Sequence, residues 1–157
     1  MFGAKVVEVS GRLVATGAYS QQNAKLIYDY LDFETDNGRF KTGKVVVATN
    51  MGKHIEIGEE GIFVFTRFLG RALAMVITSD NVEVNPMFRG FSLLHLLWPL
   101  ALFLIGLFFA PLWLVTAPIW AFAAYFLILP HLVSGKLKAI ARKHGVDWTT
   151  ARKSVNF

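Results

Sequence analysis

Residues 91–133 contain no Asp, Glu, Lys or Arg. About 20 apolar residues in a helix suffice to cross a hydrocarbon core, so a run of this length has room for two crossings. A soluble domain within a 157-residue chain would hold too little polar sequence to cover that much apolar surface. The run therefore predicts a membrane protein. Its best internal break is Ala110-Pro111, because Pro lacks a helical donor and pushes the preceding residue out of the helical region. The resulting arms, 91–109 and 112–133, would be roughly 28 and 33 Å long at 1.5 Å per residue. A two-helix transmembrane hairpin is the expectation, with a re-entrant hairpin as the alternative, since Pro99, Pro118 and Pro130 also interrupt the run.

The flanking charges set the expected orientation. Arg89 precedes the run, and Lys136, Lys138, Arg142 and Lys143 follow it, so the positive-inside rule puts both ends on the cytosolic side of a cytoplasmic (inner) membrane. Together with Trp113 beside the turn and Trp148 in the tail, these residues are the predicted interface anchors. The run contributes no carboxylate or arginine to couple transport, and its only imidazoles are His95 and His131, a poor ligand pair without an acid. A self-sufficient transporter is not expected. Thr116, Gly106, Ala117, Ala121, Ala123 and Ala124 are small positions at which helices would approach one another.

Whole-chain averages, 54% hydrophobic residues and a mean hydropathy of +0.46, blend unlike parts. Residues 1–90 carry ten Lys and Arg against ten Asp and Glu, whereas residues 134–157 carry six basic residues against Asp147 alone. The formal net charge of +5 thus belongs to the tail, and nucleic acid is an unlikely partner for the neutral N-terminal part. The tail predicts contact with anionic lipid headgroups. Cysteine is absent, which removes disulfides, thiolate metal sites and cysteine nucleophiles. Residues 1–20 lack the apolar core of a signal peptide, so no translocation of this segment is expected. Three regions follow: a cytosolic β-domain at 1–88, the hairpin at 89–133 and a basic, partly helical cytosolic tail at 134–157.

In the first region, apolar stretches between turn residues predict about five strands near 6–17, 25–35, 40–48, 54–67 and 72–84. Recurrent glycines favour curled strands and hence a small OB- or SH3-like barrel, with a compact two-sheet sandwich as the alternative. Asn37-Gly38 predicts a type I′ hairpin turn that sets Asp36 opposite Arg39 and Glu34 opposite Lys41, with a bulge near Gly43. Tyr28, Tyr30, Arg39 and Lys41 form the candidate interaction surface. Residues suited to catalysis are few. His54 shares a strand face with Glu56 and has Glu59 and Glu60 nearby, but metal or acid-base chemistry needs a third convergent group that the local sequence does not identify.

No catalytic, cofactor or metal residues are expected. The functional expectation is a non-enzymatic integral membrane subunit, holding its β-domain at the bilayer for self-association or for a larger membrane complex. A pore-forming or membrane-perturbing oligomer is the alternative; a membrane-tethered enzyme or nucleic-acid-binding module is a further one.

Overall fold

A computed structural model describes residues 5–67, 70–79, 81–88, 97, 100–102, 104–105 and 113–149. Nine strands form one open sheet: β1 (Lys5–Thr16), β2 (Tyr19–Gln22), β3 (Lys25–Tyr28), β4 (Leu31–Thr35), β5 (Gly38–Lys41), β6 (Val45–Ala48), β7 (Glu60–Arg67), β8 (Arg71–Ile77) and β9 (Val82–Val84). The order is β2-β3-β6-β8-β7-β1-β4-β5, with β9 also on β8; only β6–β8 is parallel. The sheet curls into a half-barrel whose edges β2 and β5 stay apart in the order of pairing.

Curvature comes from identifiable residues. Gly11 and Gly61 face each other across β1 and β7. A Cβ at Gly11 would overlap the Glu34 carbonyl oxygen, and one at Gly61 would lie 2.6 Å from the Ile77 carbonyl oxygen. Backbones approach there more closely than any side chain permits. Register shifts after Leu13 in β1 and between Val64 and Phe65 in β7 add bulges. Asn85 secures the second: its backbone N–H donates to Ala74 O (2.8 Å) and its side-chain amide to Leu73 O (3.0 Å).

Alternation along β7 and β8 sends side chains to two separate cores. Inside the curl lie Leu13, Leu31, Phe33, Val45, Val47, Met51, Phe63, Phe65 and Leu73. Phe33 is central, with ring centroids 4.7 Å from Phe63 and 5.9 Å from Phe65. Outside it, Val64, Ala74, Met75, Ile77 and Val84 are covered by Val133, Leu137 and Ala141 of a 31-residue helix, α1 (Trp113–Lys143). Strand β8, buried on both faces, is the central strand for which its apolar sequence is suited.

Several expectations need correction. Among the described residues no helix is long and apolar enough to cross a membrane, so neither the two-helix transmembrane hairpin nor the integral membrane location derived from it is supported. Helix α1 instead runs without a break from the apolar run into the basic segment, and its last turns lie on the sheet. The expected first arm and the turn at Ala110-Pro111 lie largely outside the described residues, where only 97, 100–102, 104 and 105 are seen to be helical. The β-domain, expected as a five-stranded barrel, is a nine-stranded half-barrel, because the expected long strands divide at turns and Tyr19–Gln22 adds one more.

The hairpin register is also different. Thr35 pairs with Gly38, Glu34 with Arg39 and Asp32 with Lys41, so Asp36-Asn37 is the loop and Gly38, at φ 112°, opens the return strand. Oppositely charged residues still stand opposite each other in the register, with new partners, though among the described residues neither couple makes an ion pair. No bulge occurs near Gly43: β3–β6 continues the register of β4–β5, bridged by Thr42, whose N–H donates to Leu31 O (2.8 Å) while its hydroxyl accepts from Leu31 N–H (2.7 Å).

Candidate functional site

Three groups of residues have the chemistry or exposure to act. The first surrounds His54, which ends the 3-10 segment Thr49–His54 and is buried. Its Nδ1 lies 3.5 Å from Glu59 Oε1, and its Nε2 lies 3.6 Å from Glu83 Oε2. Glu83 also pairs through Oε1 with Lys53. The third group missing from the sequence is thus Glu83, on β9, and the nearer acid is Glu59 rather than the expected Glu56. No local signal marks Glu83: it follows the Ser79-Asp80-Asn81 turn, and only pairing of β9 with β8 brings it beneath His54. His54 Nε2 and Glu83 Oε2 are both buried without a hydrogen-bond partner. The two carboxylates flank the ring from opposite nitrogens instead of converging on one point. Among the described residues no group of three His, Cys, Asp or Glu is placed to hold a metal ion. This geometry joins the 3-10 segment to β9 through Lys53 and Glu83, and to the residue preceding β7 through His54 and Glu59.

The second group joins the helix to the first strand. Lys143 Nζ donates to both Glu8 oxygens (3.1 and 3.3 Å), and His144 Nε2 lies 2.7 Å from Glu8 Oε1. Burial alone would raise the Glu8 pKa, but hydrogen bonds from His144 and Lys143, with their charges, draw it below the ordinary carboxylate value. Of the predicted anchors, Lys143 is therefore engaged within the fold. Lys136, Lys138 and Arg142 are exposed on α1, Trp148 is half-buried against the outer core, Trp113 begins the helix, and Arg89 lies outside the described residues.

The predicted aromatic surface divides. Tyr28 is buried against Tyr19, with ring centroids 5.3 Å apart, and burial followed by the Tyr19 charge pushes its phenol pKa up. Tyr30 lies under Lys41, whose Nζ is 3.8 Å from the ring centre, and borders Gly17, where a Cβ would lie 2.7 Å from Tyr30 Cδ1. Arg39 is exposed opposite Glu34. Tyr30 and Lys41 are brought together, but Tyr28 offers no free face on which a base would stack.

The third group is apolar. Val133, Leu137 and Ala141 turn toward the sheet, while Ile128 and Leu132, one helical turn apart, remain 55% and 54% exposed. Ala117, Ala121 and Ala124 are also exposed, at spacings that keep them near Ile128 on one side of the helix. Phe122, at 58%, and the helical residues Leu97, Leu100, Leu104 and Ile105 are exposed as well. Isolated exposed apolar residues are ordinary, whereas a cluster of this kind marks a contact surface. The sequence shows its hydrophobicity but not its division into a docked and an undocked face.

The chain matches no protein-family model, no curated protein and no solved structure.

Proposed function

We propose that this protein is a non-enzymatic assembly subunit, in which the half-barrel fixes α1 and the free side of α1 packs against a second copy of the chain. The observation that carries the proposal is the exposure of Ile128 and Leu132 on a helix whose other side, at Val133, Leu137 and Ala141, is already buried. Ala117, Ala121 and Ala124 allow two backbones to come close, so dispersion contacts accumulate over a short length. This side of the helix includes no Asp, Glu, Lys or Arg from 117 to 132, so identical copies meet no like-charge repulsion. A two-fold arrangement is the simplest closed solution for one self-compatible surface.

Light scattering of the full chain over a hundredfold concentration range tests this directly. A concentration-dependent dimer or small closed oligomer is expected, and Ile128→Lys with Leu132→Lys should shift it to monomer while circular dichroism keeps its strand signal. A wild-type monomer throughout, or an oligomer indifferent to both substitutions, would sink the proposal. Recovery of the chain only as a monomer bound to vesicles would do the same.

A further inference from the structure

Where α1 ends, the chain builds a cleft that is independent of the free helix face. Gly145 adopts φ 70°, the left-handed conformation that terminates helices. Its N–H donates to Arg142 O (3.1 Å) and the Val146 N–H to Ala141 O (2.9 Å), so the chain folds back along the last turn. Val146 and Trp148 then pack on the outer core. Trp148 is thereby held as a wall facing Lys138 and Arg142, and the space between them, about 520 Å³, is bordered also by Asp147 and Thr149.

The charges in this cleft are unequally committed. Lys138 and Arg142 stand one helical turn apart and are exposed, and among the described residues neither makes an ion pair. Lys138 Nζ is 6.0 Å from the Trp148 ring centre, at the outer limit of a cation–π contact, so the ammonium is close to the wall without being bound by it. Among the described residues Asp147 is the only carboxylate in the lining, and it accepts from the Thr149 N–H (2.9 Å) and hydroxyl (2.6 Å). Its charge is thus partly satisfied within its own turn.

We propose that this cleft binds a phosphate ester, with Arg142 and Lys138 on the phosphate oxygens and the organic part against Trp148. A guanidinium presents paired donors to two oxygens, and the ammonium, as a point charge, takes another. The terminal oxygens of a phosphate ester, three in a monoester and two in a diester, supply acceptors for both cations. The volume lies within the range of small-molecule sites. The ester occurs free in solution, as a monoester, or in a lipid headgroup, as a diester, and both sources present negatively charged terminal phosphate oxygens to the cleft.

The test is titration of the full-length protein with glycerol phosphate, followed by calorimetry, and with vesicles of phosphatidylglycerol in phosphatidylcholine against phosphatidylcholine alone. Saturable binding of glycerol phosphate supports a free ester, and binding only to the phosphatidylglycerol vesicles supports the lipid source. In either case Lys138→Gln with Arg142→Gln should weaken binding at least about tenfold. Lys25→Gln with Lys44→Gln, which removes the same charge at exposed positions on β3 and just before β6, should leave binding within about twofold, as expected for distant, largely screened charges. Absence of binding to either probe, or equal losses in the two double variants, would overturn the proposal. Circular dichroism of both variants checks that the exposed substitutions leave the fold intact.

Discussion

Replacing Leu137 by Ala tests how α1 is held. Leu137 is fully buried on the outer core, against side chains from β7, β8 and β9, among them Val64, Met75 and Val84. Burying one leucine side chain is worth about 2 kcal/mol, and truncation adds the cost of whatever cavity remains. Here the opposite wall consists of strands fixed by their ladders, and β8 is paired on both edges, so the wall cannot follow the retreating side chain. The upper-middle of the Leu-to-Ala range, about 3–4 kcal/mol, is expected. Leu132→Ala, with the same chemistry on the free side of the same helix, should cost less than about 0.5 kcal/mol in the monomer. Urea unfolding of both variants at low protein concentration, read by circular dichroism, makes the comparison. Should the helix detach as its own unit, the loss will appear as faster amide exchange over 133–143 with β7 still protected. Equal unfolding midpoints and equal exchange in the two variants would refute the docking of α1 on the sheet.

Other perturbations probe separate features. Glu8 has its pKa lowered in the fold, so its contribution is present above the unfolded value of 4.5 and lost as pH falls through the folded value. Glu8→Gln should therefore reduce stability at pH 7 and flatten its fall below about pH 4.5, as measured by urea midpoints across that range. Lys53→Met would leave the buried Glu83 carboxylate without its cation; a loss of about 3 kcal/mol is expected, with partial recovery when Glu83→Gln is added, measured by a double-mutant cycle. Gly11→Ala meets the Glu34 backbone, which cannot move aside, and should destabilise by more than about 2 kcal/mol in urea unfolding. Gly135→Ala lies within α1 with open space around it, and should raise the thermal midpoint through about 0.5–1 kcal/mol of helix propensity.

The strands were largely legible because their signals are local. Alternation and turn residues place β1 and β8 close to where they occur, whereas the strand expected from 54 begins only at Glu60, because His54 closes a 3-10 segment instead of opening a strand. The loop at 36–37 was misplaced by one residue, since Asn-Gly favours a two-residue loop at 37–38 whereas the Thr35 hydroxyl donates to Gly38 O (2.7 Å) and draws the loop back. What was not legible depends on long-range pairing. Glu83 meets Lys53 and His54, and Glu8 meets Lys143 and His144 across almost the whole sequence, and nothing in the neighbouring residues announces either meeting. The apolar run misled for a related reason. Hydropathy measures the total amount of apolar surface, whereas the fate of α1 depends on which residues face Val64 and Met75, and that is decided by strands far upstream.

Strand β1 divides its edges between two partners, β7 for residues 5–12 and β4 for residues 12–16. During synthesis from the N-terminus, β4 emerges about twenty residues behind β1, whereas β7 follows only after β5 and β6 have been made. The C-terminal half of β1 can therefore pair early, while its N-terminal half waits with an open hydrogen-bonding edge. Closing the longer loop later carries the larger entropic cost and leaves that edge available to other chains in the interval. The junction of the two pairings is Arg12, opposite Glu34 of β4 on one edge and Glu60 of β7 on the other, so the sequence separation of its partners changes from about twenty to about fifty residues at a single position.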